Sequence, residues 1–312
     1  MTDPILSVVI VSWMTGPRLL DCLHAVLTAD QVDELVLVSH ENPPEILHRL
    51  RDLDAAHSKM VLIETGQNLG FGVGCNIGAQ AARGDTLLFL NPDTVLLASV
   101  AKRLKQNVSR MDETRPWIIG SRLLNEDGSE QRGGRRGELT PSTAFVSFLG
   151  LNRFLKGMRS LHQEQDPLPD DLVEVDTVSG AALMIRAQHF HDIGGFDPRY
   201  FLHVEDIDIC RTAREAGGTV WFDPNASILH VGGTSQSSPL KVENHKAWGF
   251  ISYFWKFYPG PVSKVLTSLM IPAIFLAIWT RLFLSHVKAK FRRVDTKDDQ
   301  SLADAPANPR SD

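Results

Sequence analysis

The stretch LLFLNPDTVL, residues 87–96, is the first place where the sequence offers chemistry. An apolar run stops at Asn91-Pro92-Asp93, which presents an amide and a carboxylate at the end of a predicted strand. A carboxylate there can hold a divalent cation, because hard ions prefer oxygen ligands and bind together with substrate phosphates. The same tripeptide also suits a plain turn and helix cap, and the residues alone leave both interpretations open.

Two further groups of residues could take part in catalysis. Glu205, Asp206 and Asp208 cluster at the start of a predicted helix, where the helix dipole favours negative charge and capping is the ordinary explanation. Asp206 could also be a general base, because a carboxylate near a metal-bound phosphate can accept a proton from an attacking hydroxyl. His230 ends a predicted strand, and a lone histidine is usually structural although imidazole is also a common metal ligand.

The elements that would position these residues alternate between strand and helix. Four apolar runs predict buried strands, at residues 7–13, 34–40, 60–65 and 86–90. Helical patterns separate these runs, and the alternation is typical of a doubly wound α/β sheet. In such a sheet ligands bind beyond the carboxyl ends of the strands, which is where Asn91 and Asp93 stand.

The second half of the chain predicts a less regular set of elements. Residues 125–137 are polar and rich in glycine and arginine, which indicates a functional or disordered loop. Residues 178–197 predict a strand followed by a short helix, and residues 205–217 predict a helix that ends at a glycine pair. Residues 219–233 predict two short strands around a turn at Asp223-Pro224-Asn225.

Composition narrows the class of protein. The chain has 312 residues, of which 43% are hydrophobic and 22% charged, so it can bury a substantial core. A formal charge of -5 and the lack of any nucleic-acid motif argue against a nucleic-acid partner. Three distant cysteines without metal-type spacing favour a reducing compartment, and the first apolar run is too short and wrongly flanked for a signal peptide. We therefore expect the chain in the cytosol.

Residues 265–284 are apolar around most of the helical circumference and nearly long enough to span a bilayer. The basic stretch SHVKAKFRR follows, and a single span from a cytosolic domain would put it outside, against the positive-inside tendency. An interfacial or re-entrant helix whose basic flank meets anionic lipid is therefore favoured over a span. An apolar helix packed on its own domain is the third interpretation left open.

Five blocks of the sequence, in order and spacing, resemble the family 2 glycosyltransferases, especially their bacterial rhamnosyltransferase-like branch. The blocks cover residues 6–235 and read LSVVIVSW, NLGFGVGCNIGAQAARGDTLLFLNPD, VSGAALMIR, IGGFDPRYFLHVEDIDICRTAREAG and ILHVGGTS. The resemblance implies a GT-A fold, with a mostly parallel central sheet flanked by helices. It also implies inverting transfer of a sugar from a nucleotide-diphosphate donor, with a divalent cation, Mg²⁺ or Mn²⁺, as cofactor.

Carried over by position, the resemblance makes Asp93 and His230 metal ligands and Asp206 the catalytic base. It places Glu205 beside the base, where it would bind or orient the acceptor. Asn91 replaces the first acid of the family's Asp-x-Asp motif and would contact the nucleotide sugar instead. The remaining substrate-binding positions lie in the matched blocks and are Ser12, Asn68, Gly70, Asn76 and Gly180. For Gly70 a plain turn or packing role is equally open.

Two segments depart from the family pattern. Where the family usually has VDNxS after the second strand, this chain has VSHEN at residues 38–42, so Ser39 stands where the base-binding acid is expected. The segment QRGGRRG only partly matches the family's arginine loop. Arg135 and Arg136 could clamp the diphosphate, although a solvated basic loop is the favoured interpretation.

These observations lead to a hypothesis of a hexosyltransferase-type enzyme at the inner face of the plasma membrane. It would move a sugar, with rhamnose as a candidate, to a hydroxyl of a lipid-linked cell-envelope glycan. The expected organisation is a catalytic domain at 1–240, a membrane-associating helical region at 241–293 and a disordered tail at 294–312. A silent glycosyltransferase-like scaffold is the first alternative. A sugar-1-phosphate nucleotidyltransferase is the second, and the chain lacks the GxGTRxxP pattern expected for it after strand one.

Overall fold

The computed structural model of the protein describes residues 4–148, 161–232 and 238–261, with residues 264, 265, 267, 268, 271, 272, 275 and 280. The strands are β1 Leu6–Ser12, β2 Glu34–Ser39, β3 Met60–Glu64, β4 Thr86–Leu90, β5 Thr94–Val95, β6 Trp117–Leu124, β7 Arg135–Arg136, β8 Val173–Glu174, β9 Thr177–Val178, β10 Ala182–Arg186 and β11 Thr219–His230. The helices are α1 Arg18–Thr28, α2 Pro44–Ala56, α3 Phe71–Ala81, α4 Ala98–Val108, α5 Pro141–Phe148, α6 Ala187–Asp192, α7 Glu205–Glu215 and α8 Pro239–Phe257.

A nine-stranded sheet forms the centre of the described part of the chain. Eight strands lie in the order β3-β2-β1-β4-β10-β6-β11-β5, and β8 pairs with β11. The first four are parallel, as the apolar runs predict, and every residue of β1 and β4 is buried. β10 is antiparallel to both β4 and β6, so the second half of the sheet is mixed. The predicted α/β fold with flanking helices is confirmed.

Helices cover the sheet on both faces. The core on one face includes apolar side chains of α1, α2 and α4, and the core on the other includes those of α3, α6 and α7. Because helices flank both faces, the strands read as continuous apolar runs rather than as alternating patterns. In such sheets ligands bind beyond the carboxyl ends of the strands, and the candidate site lies there.

β11 differs from the prediction of two short strands around a turn. It is one strand of twelve residues, with a register shift between Asp223 and Ser227. The Asp223 side chain is fully buried, where it accepts hydrogen bonds from Arg103 Nε at 2.7 Å and Asn107 Nδ2 at 2.6 Å. These contacts from α4 hold the turn-like sequence as a bulge, and β11 therefore continues to His230.

α8 packs against α7 and the segment that precedes it. Its residues Phe250, Tyr253 and Phe254 share one apolar cluster with Tyr200 and Ile207. The predicted domain boundary at residue 240 thus falls at the beginning of a helix that contributes to this cluster.

Most of the predicted apolar segment 265–284 and all of the predicted tail 294–312 lie outside the described residues. Over the ranges that the structure describes, there is no helix with the length and apolar character needed to cross a membrane.

Candidate active site

The turn after β4 meets His230 at the end of β11. The link is β5, which pairs antiparallel with β11 and sets Thr94 opposite His230. In this arrangement Asp93 Oδ1 lies 3.2 Å from His230 Nε2. Asn91 Nδ2 lies 3.1 Å from the same nitrogen, although the two residues are 139 positions apart. The sheet topology therefore brings Asn91, Asp93 and His230 into one cluster.

Gln131, which the sequence analysis did not single out, determines where the proton of this histidine lies. Its Nε2 is 3.1 Å from the backbone carbonyl oxygen of His230, and a carbonyl oxygen can only accept. The amide oxygen Oε1 then faces His230 Nδ1 at 2.5 Å, so Nδ1 carries a proton and donates it. In the neutral form of the ring the lone pair then lies on Nε2, beside Asp93. Gln131 belongs to a polar glycine-rich segment whose pattern contains no signal for this role.

This cluster has donors that suit a divalent cation. A carboxylate oxygen of Asp93 and the Nε2 lone pair of His230 face one another across 3.2 Å, and a cation shared between them would stabilise that arrangement. Oxygen and imidazole ligands suit Mg²⁺ and Mn²⁺. Among the described residues, no group of three or more His, Cys, Asp or Glu side chains could hold a metal ion. Asp93 and His230 offer two ligands, and a cation held by few protein ligands takes the others from water and substrate phosphates.

Asp206 occupies the first turn of α7, as predicted, and is largely buried. Its Oδ2 accepts a hydrogen bond from the Arg136 guanidinium and another from the backbone N–H of Gly180 at 3.2 Å. Its Oδ1 accepts the N–H of Ile207 at 2.8 Å. A carboxylate has about four lone-pair positions. These three contacts orient Asp206 and leave one position for a further donor.

Residues 180 and 181 connect Asp206 with the cluster around Asp93. Gly180 donates its N–H to Asp206, and the carbonyl oxygen of Ala181 accepts the N–H of Asn91 at 2.9 Å. Immediately afterwards β10 pairs side by side with β4, which holds this junction in place. The structure thus joins positions 93 and 230 directly, and it joins position 206 to them through one dipeptide.

Glu205 is buried beside Asp206, and this changes its protonation. Burial, followed by the charge of Asp206, raises the pKa of Glu205 from 4.5 to about 8. Its Oε2 is buried and has no hydrogen-bond partner among the described residues. The chain enters α7 through His203 (φ 67°) and Val204 (φ 73°), two left-handed non-glycine residues, so the backbone is strained here. A neutral Glu205 carboxyl can donate a hydrogen bond to a bound ligand.

The expectation of a solvated basic loop is wrong for Arg135 and Arg136. Arg135 is 5% exposed, and its guanidinium pairs with Glu130 at 2.7 Å and with the carbonyl oxygen of Asp166 at 2.9 Å. The Arg136 side chain is 13% exposed and pairs with Asp206. Both arginines lie on or beside β7, which pairs with β9, so the local fold withdraws them from solvent. A role of Arg136 in diphosphate binding stays a prediction.

Asn42 organises the ends of β1 and β2. Its Nδ2 lies 2.6 Å from Ser12 Oγ and 2.9 Å from Ser39 Oγ, and its Oδ1 accepts the N–H of Met14 at 3.0 Å. Both serines are buried. Ser39, which stands where the family has an acid, is thus part of a neutral network that joins the two loops. In the sequence Asn42 appears only as the last residue of VSHEN, the segment that differs from the family pattern.

The predicted donor residues near α3 make contacts within the protein. Asn68 Oδ1 accepts the N–H of Gly70 at 3.0 Å. Gly70 has φ +87°, and a Cβ there would lie 2.5 Å from the carbonyl oxygen of Phe201. Asn76 hydrogen-bonds both the carbonyl oxygen and the N–H of Phe196, at 2.7 and 2.9 Å. These three residues fasten α3 to the segment that leads into α7, and their roles in donor binding stay predictions.

Comparison with known proteins identifies relatives of this chain. The family described as Glycosyltransferase like family 2 matches residues 4–250. An N-acetylglucosaminyl-diphospho-decaprenol L-rhamnosyltransferase of Mycobacterium tuberculosis is 27% identical over 256 residues, which cover 74% of this chain and 76% of the relative. The rhamnosyltransferase WbbL of Escherichia coli is 24% identical over 228 residues, which cover 63% of this chain and 82% of the relative.

Two solved structures share the fold. The mannosyltransferase PcManGT of Pyrobaculum calidifontis, in complex with GDP-Man and Mn²⁺, has a TM-score of 0.54 at 12% identity and covers 97% of this chain and 81% of its own. GalNAc-T7 with UDP, GalNAc and Mn²⁺ has a TM-score of 0.56 at 19% identity over 83% of this chain, which spans about half (49%) of that protein. The match over most of the sequence, together with the observed fold, shows that this chain belongs to Glycosyltransferase like family 2.

Proposed function

We propose that this glycosyltransferase moves a sugar from a nucleotide-diphosphate donor to a hydroxyl of a lipid-diphosphate-linked glycan, with inversion at the anomeric carbon. The observation that carries the proposal is the link between Asp206 and the Asp93–His230 pair through residues 180 and 181. In this proposal the link connects a base with the donors for a cation. The names of the relatives favour rhamnose as the sugar and a lipid diphosphate as the carrier.

Asp206 acts as the general base in this proposal. The acceptor hydroxyl occupies the remaining lone-pair position of the carboxylate and transfers its proton to it. The acceptor oxygen forms a bond to the anomeric carbon while the bond from that carbon to the diphosphate oxygen breaks. The nucleoside diphosphate leaves from the opposite face of the sugar. Gly180 and Ile207 keep the carboxylate oriented during the reaction, because their donors are backbone N–H groups whose positions the fold fixes.

Asp93 and His230 would hold the divalent cation, and Gln131 would keep the Nε2 lone pair of His230 available. When bound, such a cation stabilises the negative charge of the leaving diphosphate. In this structure Asn91 Nδ2 lies 3.1 Å from His230 Nε2, and a cation bound at that nitrogen would take the place of this contact. Neutral Glu205 donates a hydrogen bond to an acceptor oxygen next to the attacking hydroxyl, and a protonated carboxyl is suited to this because it does not repel Asp206.

We further propose that the enzyme works at the inner surface of the plasma membrane. The acceptor in this proposal is lipid-linked, so its diphosphate and sugar stand at the bilayer surface. The apolar residues 265–284 and the basic residues that follow would hold the protein against anionic lipid. No step of the chemistry depends on this attachment.

The test is substitution of Asp206 by asparagine in the full chain. We expect transfer to fall roughly 10²- to 10⁴-fold, the range for loss of a general base, with donor binding retained. Glu215→Gln is the matched control, because Glu215 closes the same helix at its exposed end. Transfer and donor affinity are measured separately, with Mn²⁺ present. A fully active Asp206→Asn variant would refute the assignment, and a wild-type protein that neither transfers nor hydrolyses any donor would indicate a scaffold.

A further inference from the structure

A group of basic side chains stands next to the segment that leads into Asp206. The His245 ring on α8 stacks on the Phe201 ring, with 4.4 Å between centroids. One turn further along α8, a Cβ at Gly249 would lie 3.3 Å from the carbonyl oxygen of His203. This part of α8 therefore packs directly on the segment that precedes Glu205 and Asp206. Lys246 is on the same turn as His245.

The positive charge of Lys246 changes the pKa of histidines near the beginning of α7. Burial, and then the positive charge of Lys246, lowers the pKa of His203 to about 4. Burial, and then the charges of Arg132, Arg136 and Lys246, lowers the pKa of His162 to about 4. Cations from two segments, residues 132–136 and α8, thus create a positive potential near the base.

Lys246 has no acidic partner among the described residues. Lys256, ten residues later on the same helix, is paired with Asp208 at 2.7 Å and with Asp197 at 3.0 Å. Lys246 is partly buried, and among the described residues it forms no ion pair, not even with Glu243 one turn earlier. Its charge is therefore not offset by a described carboxylate, and an ammonium group binds phosphate oxygens strongly. The difference between the two lysines indicates a ligand rather than a structural role.

We propose that Lys246, together with His203 and His245, binds the diphosphate of the acceptor. This inference rests on the proposed function. An acceptor that presents a hydroxyl to Asp206 carries its own diphosphate one sugar away, and the donor diphosphate belongs with the cation at Asp93 and His230. The two anions must therefore lie on opposite sides of Asp206. We assign the acceptor's anion to Lys246, His203 and His245, which stand next to the segment that leads into Asp206.

The test compares two soluble acceptors with the full-length protein and its Lys246→Ala variant. One acceptor is N-acetylglucosamine diphosphate esterified to a short alkyl chain, and the other is the alkyl glycoside of N-acetylglucosamine, which has no phosphate. Lys241→Ala is the matched control, because Lys241 is an exposed lysine on the same helix. The assays contain no membranes, so lipid headgroups cannot supply the anion.

We expect Lys246→Ala to raise the KM for the diphosphate acceptor roughly ten-fold, the effect of losing one hydrogen bond to a charged group. The KM for the neutral glycoside, the Kd for the donor and the melting temperature should stay as in the wild type, and Lys246→Arg should restore much of the loss. An equal KM for the diphosphate acceptor in both proteins would overturn the proposal. A raised donor Kd would also overturn it, because the anion bound there would then be the donor's.

Calorimetric binding of the diphosphate acceptor separates this inference from the proposed function. Binding to the wild type that is weakened in Lys246→Ala supports the site even if no sugar is transferred. Failure of the wild type to bind this acceptor rules the site out, while transfer to the neutral glycoside would leave the glycosyltransferase mechanism intact.

Discussion

Replacing Gln131 with leucine should weaken the binding of Mn²⁺ without touching either proposed ligand. The variant loses the 2.5 Å contact that keeps the proton on His230 Nδ1 and the 3.1 Å contact with the His230 carbonyl oxygen. The imidazole can then place its proton on Nε2, where it blocks metal binding. Leucine is similar in size to glutamine, so the local packing is largely conserved.

The magnitude follows from the two contacts that are lost. Each hydrogen bond contributes about 0.5–1.5 kcal/mol. Together they amount to about 1–3 kcal/mol, or roughly 5- to 150-fold in affinity. This agrees with the 10- to 100-fold loss that is typical when the partner of a metal-binding histidine is removed. Gln131→Glu should have a smaller effect, because a carboxylate still accepts from Nδ1 although it cannot donate to the carbonyl oxygen.

The assay is an electron paramagnetic resonance titration of free Mn²⁺ in the presence of a saturating nucleoside diphosphate. Asn125→Ala is the control, since it removes the 3.3 Å contact that Gln131 Nε2 also makes with Asn125 and leaves His230 untouched. Mn²⁺ affinity that is normal in Gln131→Leu but weak in His230→Ala would refute the tautomer reasoning. Normal affinity in His230→Ala would remove the histidine from the metal site altogether.

Two further predictions concern stability. Because the pKa of Glu205 is raised to about 8 in the folded protein, its contribution to stability is complete below pH 4.5 and is lost as the pH rises toward 8. The free energy of unfolding of Glu205→Gln should therefore exceed that of the wild type progressively between pH 5 and 8.5, by on the order of a few kcal/mol at the alkaline end. Urea unfolding at each pH measures this difference, and a difference that does not change with pH would contradict the prediction. Gly70→Ala should lower the free energy of unfolding by about 1–3 kcal/mol more than Gly66→Ala, because both positions have positive φ but only at Gly70 would a Cβ meet Phe201. Urea unfolding of the two variants measures this difference. An equal decrease in the free energy of unfolding would show that the contact with Phe201 does not add to the cost at Gly70.

Local sequence patterns predict an element correctly where the surroundings of that segment are uniform. The apolar runs of β1 and β4 predict buried strands correctly, because both faces of these strands are covered. The acidic cluster predicts the beginning of α7 for an equally local reason, the preference of a helix N-terminus for negative charge. The five blocks and their order also indicate the family, which the match over residues 4–250 confirms.

Side-chain environments could not be predicted in this way, because they depend on residues far away in the chain. The Asp223-Pro224-Asn225 sequence has the composition of a turn, yet α4 buries Asp223 and holds a bulge within a continuous strand. Arg136 belongs to a segment that reads as a solvated loop, but pairing of β7 with β9 directs it to Asp206.

The amino-acid sequence alone indicates the four parallel strands, the beginning of α7 and the chemical types of the side chains that follow the strands. Which of those side chains meet, and in which state of protonation, depends on the folded chain. Gln131 controls His230 across 99 positions of sequence, and burial makes Glu205 a neutral neighbour of Asp206. Local propensity acts over a few residues, whereas hydrogen bonding and desolvation depend on the three-dimensional surroundings, so these features appear only in the folded chain.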